Sequence, residues 1–302
     1  MADGDRIMRN RTGLTRVDLI VVVACVVFVL ANVPVIIAAG RGRAKLEVCL
    51  ANLRNLADAW QMHANDNDGK IPSGDVWYSW AFPISSGGPQ LAWFEWPHPS
   101  PHSMPPSATT NYTSAFTCYP NPCSQAAWQH AIAEGKLGKY TRDLKIYRCP
   151  VGRKNDGVTY SMSQAMNTYP GSAGPGSVSR TISLINQIIR PAERLVFLDA
   201  GYAKRGAFFV PFDGSGGANR PGKWYDPPPV PHNVGTTFVF ADGHAIYRKW
   251  TDPHTLAAVD LGWGQGTVDY CDCDLRWITK ATWGRLYHEW DSCTDPNKNC
   301  PD

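Results

Sequence analysis

Residues Leu19 to Ala39, LIVVVACVVFVLANVPVIIAA, run for 21 positions without a charge. A helix of that length covers roughly 30 Å, the hydrocarbon thickness of a bilayer. No other stretch of the sequence approaches it, so one membrane crossing is expected, with a transmembrane helix over 14–41 and a single body over 42–302. Flanking charge does not orient the span: Arg6, Arg9, Arg11 and Arg16 precede it, and Arg41, Arg43 and Lys45 follow. The apolar core of a secretory signal is about 7–15 residues, shorter than this run, although the small residues at 38–40 leave cleavage there open. A plain anchor fits the length and leaves one residue unexplained, Asp18 at the mouth of the run.

Cysteine usage bears on which side of the membrane the body occupies. Cys25 lies within the span, and Cys49, Cys118, Cys123, Cys149, Cys271, Cys273, Cys293 and Cys300 all follow it. An even number beyond a membrane segment reads as disulfides in an oxidising compartment, with the pairing open. Cys271-x-Cys273 also invites a zinc reading, but the spacing is one residue short of the usual knuckle. The net charge of +3 is too small to argue for a nucleic-acid partner, and none is expected.

Asp18 gains a role from its surroundings. A short basic segment is followed by Gly13, Leu14, Thr15 and, five positions after the glycine, Asp18. This resembles a type IV prepilin leader. The resemblance implies that residues 1–13 are removed by a prepilin peptidase at the inner membrane, which cuts after Gly13 and methylates Leu14. The apolar helix then packs with other pilin-like subunits in a filament core. Leu14 and Asp18 stand at i and i+4, on one helix face, so the new α-ammonium would meet Asp18 of the same or a neighbouring copy. The family usually has Phe, Leu and Glu where this chain has Leu14, Arg16 and Asp18. Pro34 falls where pilin helices bend, and a missing N–H supplies the reason.

Downstream, Leu46, Cys49, Leu50, Leu53, Leu56, Ala57, Trp60 and Ala64 recur at helical spacing over 42–65. DNDG at 66–69 reads as a glycine-closed helix end, since a calcium loop would need further acids. The stretch 71–125 is rich in Pro, Ser and aromatics and reads as an insertion. Its Trp93, Phe94 and Trp96 suit either a sugar-stacking platform or internal staples. A helix is expected over 124–137, and strands at 158–163, 194–200, 207–212, 236–242 and 245–250, with KIYRCP (145–150) taking Cys149 into a short strand. A second amphipathic helix follows at 274–290, inside a Cys-rich tail (271–302). The predicted fold class is α+β: a long N-terminal helix packed on an antiparallel sheet, pilin-like, with loop insertions and a helical tail. In prepilin-like proteins a Cys early in the soluble helix pairs with one in a CP turn, so the resemblance favours a Cys49–Cys149 bridge.

HNVGTTFVFADGH places His232 ten positions before Asp242, followed by Gly243 and His244. This resembles the H-X9-DG signature of a large bacterial family of prepilin-like proteins, within a hairpin at 231–250. One reading makes Asp242-Gly243 a hairpin turn that His232 hydrogen-bonds. Another gathers Asp199, His232, Asp242 and His244 around a divalent metal. No nucleophile elbow, zincin helix, phosphate loop or nucleotide fingerprint is present, and the Gly-rich stretches 171–177 and 214–217 read as loops, so an enzyme is not expected. Together these features predict a single-pass, extracytoplasmic subunit of a pilus-like filament or secretion pseudopilus. The other reading is a membrane-anchored binding module for polysaccharide or a secreted substrate.

Overall fold

The computed structural model describes residues 15–74, 92–94, 124–141, 143–167, 181–202, 206–212, 222–261, 265–267, 269–286, 293 and 300, without the side chains of 31–39. The leader residues Gly13 and Leu14, and Trp96, Cys118, Cys123 and both Gly-rich stretches, lie outside these. The chain divides into two compact units, 1–44 and 45–302.

Helix α1 (Arg16–Asp66) starts in the first unit, directly after Thr15. The Thr15 hydroxyl and N–H donate to Asp18 Oδ2 at 2.7 and 2.9 Å, and the Asp18 N–H donates back to Thr15 Oγ1 at 3.2 Å. This reciprocal capping box satisfies donors that a helix start leaves unpaired. The helix continues across Pro34. From Val17 to Leu30 every large apolar side chain is more than half exposed, on all sides of the helix. Among the described residues no helix is long and apolar enough to cross a membrane. The described apolar side chains stop at Leu30, and the rest of the expected span falls on 31–39.

In the second unit, α1 buries Cys49, Leu53, Leu56, Ala57, Trp60 and Ala64, the stripe expected from their spacing. Asp68 and Gly69 adopt positive φ, and the Gly69 N–H donates to Ala64 O at 2.8 Å, closing the helix. Five strands follow: β1 (Tyr160–Ser163), β2 (Leu195–Asp199), β3 (Ala207–Phe208), β4 (Gly235–Phe240) and β5 (Ala245–Lys249). Their order is β3-β1-β2-β4-β5. The β1/β2, β2/β4 and β4/β5 pairs are antiparallel, whereas β3 lies parallel to β1, so the sheet is mixed rather than antiparallel throughout. Topology explains this. Asp199 ends β2 beside Tyr160, where β1 begins, and a strand laid on the free edge of β1 from there runs the same way.

Period-two alternation divides the strands between two cores. Tyr160, Met162, Phe197 and Val239 face the cluster containing the α1 stripe. Leu195, Leu198, Phe238 and Phe240 face a second cluster with Leu275, Ile278 and Ala281 of helix α4 (Cys273–Trp283). Val196 and Phe197 share one core because the β2/β4 register shifts between Leu195 and Phe197, a bulge that turns neighbours to one face. The second unit is therefore α+β, with its sheet covered on both faces.

Helix α2 (Gln125–Glu134) matches its expected place, capped by the Ser124 hydroxyl. Cys149 follows a 3-10 turn (Leu144–Tyr147) rather than sitting in a strand. The short α3 (Pro253–Ala258) is an addition, and its start was written in the Asp252-Pro253 cap. The tail helix stops earlier than expected because Gly284 adopts φ 73° and donates to Lys280 O at 2.7 Å. Cys271–Cys293 and Cys273–Cys300 bridge the tail. Asp272 caps α4 and accepts bonds from the Thr255 hydroxyl and Trp224 Nε1.

Candidate functional site

At the end of the sheet where β1 starts and β2 stops, four side chains from distant parts of the sequence meet. Cys49 comes from α1, Cys149 from the turn before β1, Asp199 from the last position of β2, and His232 from the turn leading into β4. Cys49 and Cys149 form a disulfide. The Cys149 N–H donates to Thr159 Oγ1 at 2.8 Å, and Ala200 N donates to Thr159 O, so the turn and the strand ends are tied together. Asn52, one turn after Cys49, donates to Arg148 O at 3.1 Å and Tyr160 Oη at 3.3 Å.

His232 Nε2 stands 3.3 Å from Asp199 Oδ2 and 3.4 Å from Cys149 Sγ. Asp199 Oδ1 accepts the Gly201 N–H at 2.8 Å. Oδ2, by contrast, has no well-directed hydrogen bond, because the His232 contact is close but not aligned for one. Asp199 and both cysteines are wholly buried, and the His232 side chain is 6 % exposed. Burial pushes the Asp199 carboxyl above the usual carboxylate range, against the pull of His232 and the Gly201 N–H. The Tyr160 phenol is also raised by burial, then by the Asp199 charge.

The expected metal set of Asp199, His232, Asp242 and His244 separates into two pairs. Because β2 and β4 are antiparallel, Asp199 lies beside the start of β4 and Asp242 beyond its end, roughly 15 Å apart along the strand. Asp242 and His244 form their own pair, Oδ1 to Nδ1 at 2.6 Å, with the ring stacked on Phe240. That pair offers no third ligand among the described residues. The DG turn stands as expected. Gly243 N donates to Phe240 O and Phe240 N to His244 O, at 2.9 and 3.0 Å, with φ 90° at Gly243. What holds this loop is Gln61 of α1, whose amide donates to Ala241 O at 2.9 Å. His232 does not bond the DG turn. It sits at the opposite end of β4, where its carbonyl accepts the Tyr247 hydroxyl at 3.1 Å.

The sugar-stacking reading fails at its described members. Trp93 and Phe94 are wholly buried, and Trp93 donates from Nε1 to Gly206 O at 3.1 Å and stacks on Tyr147. The sequence did not reveal that the cysteines would join Asp199 and His232, since only the strand order brings them together. Comparison with protein-family models, curated proteins and solved structures finds no match for this chain. Fold and site therefore define a class no finer than a disulfide-bridged α+β protein with a closed Cys/Asp/His cluster.

Proposed function

We propose that the chain is a structural subunit of a type IV pilus-like filament or secretion pseudopilus, anchored in the inner membrane and assembled through α1 after removal of residues 1–13. One observation carries the reading: a helix apolar on every side from Leu19 to Leu30, opened by the Thr15–Asp18 box. A helix hydrophobic all round is stable only when lipid or other helices surround it. A cut after Gly13 leaves the box intact and places the new ammonium one residue before it. Asp18 then has two tasks, closing its own helix start and meeting the amine of a neighbouring copy, which sets subunit register more than affinity.

Mass spectrometry of the native protein tests this directly. A mature chain beginning with N-methylated Leu14 supports the proposal. A chain that keeps residues 1–13, or begins beyond Gly40, overturns it. In a second arm, Asp18→Ala leaves residues 45–302 folded and abolishes incorporation into filaments, whereas normal incorporation refutes the role given to Asp18. The competing reading, a polysaccharide-binding module, has lost its described aromatic platform to the core.

A further inference from the structure

His232 Nε2 faces two groups at once, Asp199 Oδ2 and Cys149 Sγ, at 3.3 and 3.4 Å. A single ring N–H serves one acceptor well, so hydrogen bonding alone does not account for both approaches. Asp199 Oδ2 is fully buried without a well-directed donor, which is costly unless something else compensates it. Cys49 Sγ completes a set of four ligand atoms, all within 4.8 Å of one another. Around one zinc ion, sulfur at about 2.3 Å and nitrogen or oxygen at about 2.0 Å leave ligand atoms about 3.3–3.8 Å apart in a tetrahedron. Once their bond is broken the two sulfurs must part to about 3.8 Å to reach that arrangement, while the widest separation in the set exceeds it by at most about 1 Å. Two thiolates with an imidazole and a carboxylate are a donor set that favours zinc over calcium or magnesium.

We infer that, when Cys49 and Cys149 are reduced, Cys49, Cys149, Asp199 and His232 bind one Zn2+ in a closed tetrahedral site, so that disulfide and zinc are alternative closures of the same four side chains. On binding, each thiol releases its proton to solvent and forms a Zn–S bond, with no change of oxidation state. Conversion to the disulfide needs a thiol-disulfide oxidant. The two thiolates lose two electrons and form the S–S bond, the oxidant's disulfide takes up those electrons and two protons to become two thiols, and Zn2+ leaves. The absence of access to solvent suits a structural site, since a catalytic one would keep an open position. The inference concerns residues 45–302 and does not depend on the filament proposal.

The full-length chain, purified in detergent under a reductant and desalted after exposure to Zn2+, is expected to carry one zinc per chain. Co2+ in its place is expected to give the visible bands of tetrahedral thiolate coordination. His232→Ala and Asp199→Asn each weaken binding by at least the 10–100-fold that disturbing a metal's surroundings typically costs. A variant with Ser at Cys118, Cys123, Cys271, Cys273, Cys293 and Cys300 keeps the full stoichiometry and the cobalt spectrum. Adding a small-molecule disulfide releases the zinc from wild type. A reduced wild-type chain that retains no zinc overturns the inference. So does binding that is lost in the six-serine variant and unchanged in His232→Ala.

Discussion

Trp93→Ala separates a core residue from a ligand platform. Trp93 is fully buried, stacked on Tyr147 at 5.8 Å and edge-on to Phe94 and Phe197 at 4.7 and 5.1 Å. Truncating a buried Trp to Ala costs about 3–5 kcal/mol through lost transfer energy and the cavity left behind. The Gly206 carbonyl adds little to that cost, because it also accepts the Met162 N–H at 2.7 Å and remains paired. A unit of this size loses about 2–4 °C of melting temperature per kcal/mol. Trp93→Ala should therefore lower the melting temperature of the full-length chain by roughly 6–20 °C. Trp93→Phe keeps most of the ring contacts and loses one hydrogen bond worth about 1 kcal/mol, so its drop is roughly 2–4 °C. Thermal unfolding followed by near-ultraviolet circular dichroism reads both. A shift of under about 3 °C for the alanine variant, or equal shifts for the two, would refute the packing argument.

Gly135→Ala is expected to destabilise by about 1–3 kcal/mol, because a Cβ there runs into the Phe94 Cα and the Trp93 carbonyl, both backbone; an unchanged urea midpoint would refute the close approach. Cys271→Ser opens a bridge spanning 22 residues, and the chain-entropy model puts the loss at about 3 kcal/mol, measurable as a lower urea midpoint that reductant does not deepen at that bridge. Burial raises the Asp272 carboxyl pKa, against hydrogen bonds from Thr255, Leu275 and Trp224. The folded chain thus holds that proton more firmly than the unfolded one. Its contribution is fully present below pH about 3.9 and is lost as pH rises through the raised value. Asp272→Asn keeps a good helix cap and removes this slope, so its urea midpoint should gain on wild type from about pH 3.5 to pH 7, and a constant difference would count against it.

Much of the second unit was legible because α1 buries one face and the inner strands are buried on both. The α1 stripe from Cys49 to Ala64 carries its helical period openly, and the short apolar and β-branched runs of β2 and β4 read as buried strands. The parallel setting of β3 was not legible, since it follows from where β2 ends rather than from Ala207 and Phe208 themselves. Trp93 and Phe94 are internal staples, one of the two readings their sequence allowed; the choice was not legible locally, because their burial depends on β1 and β2 arriving from far along the chain. The site shows the same division. Asp199, His232, Asp242 and His244 are all singled out by residue type, but β4 runs between the two pairs and holds them at opposite ends of the sheet. The leader resemblance accounts for Asp18 through its pairing with Leu14, while the S/T-x-x-acid spacing to Thr15 is the local signal of the capping box.

The nine residues between His232 and Asp242 act as a ruler. They span β4 from one bank of the sheet to the other, with a turn at each end. Inserting one residue would swap every inward side chain of the strand for an outward one, so a change of length is tolerable only in steps of two. A chain with eleven residues between its corresponding His and Asp-Gly should then own a sheet taller by about 7 Å, with each terminus of the strand still carrying its own separate task.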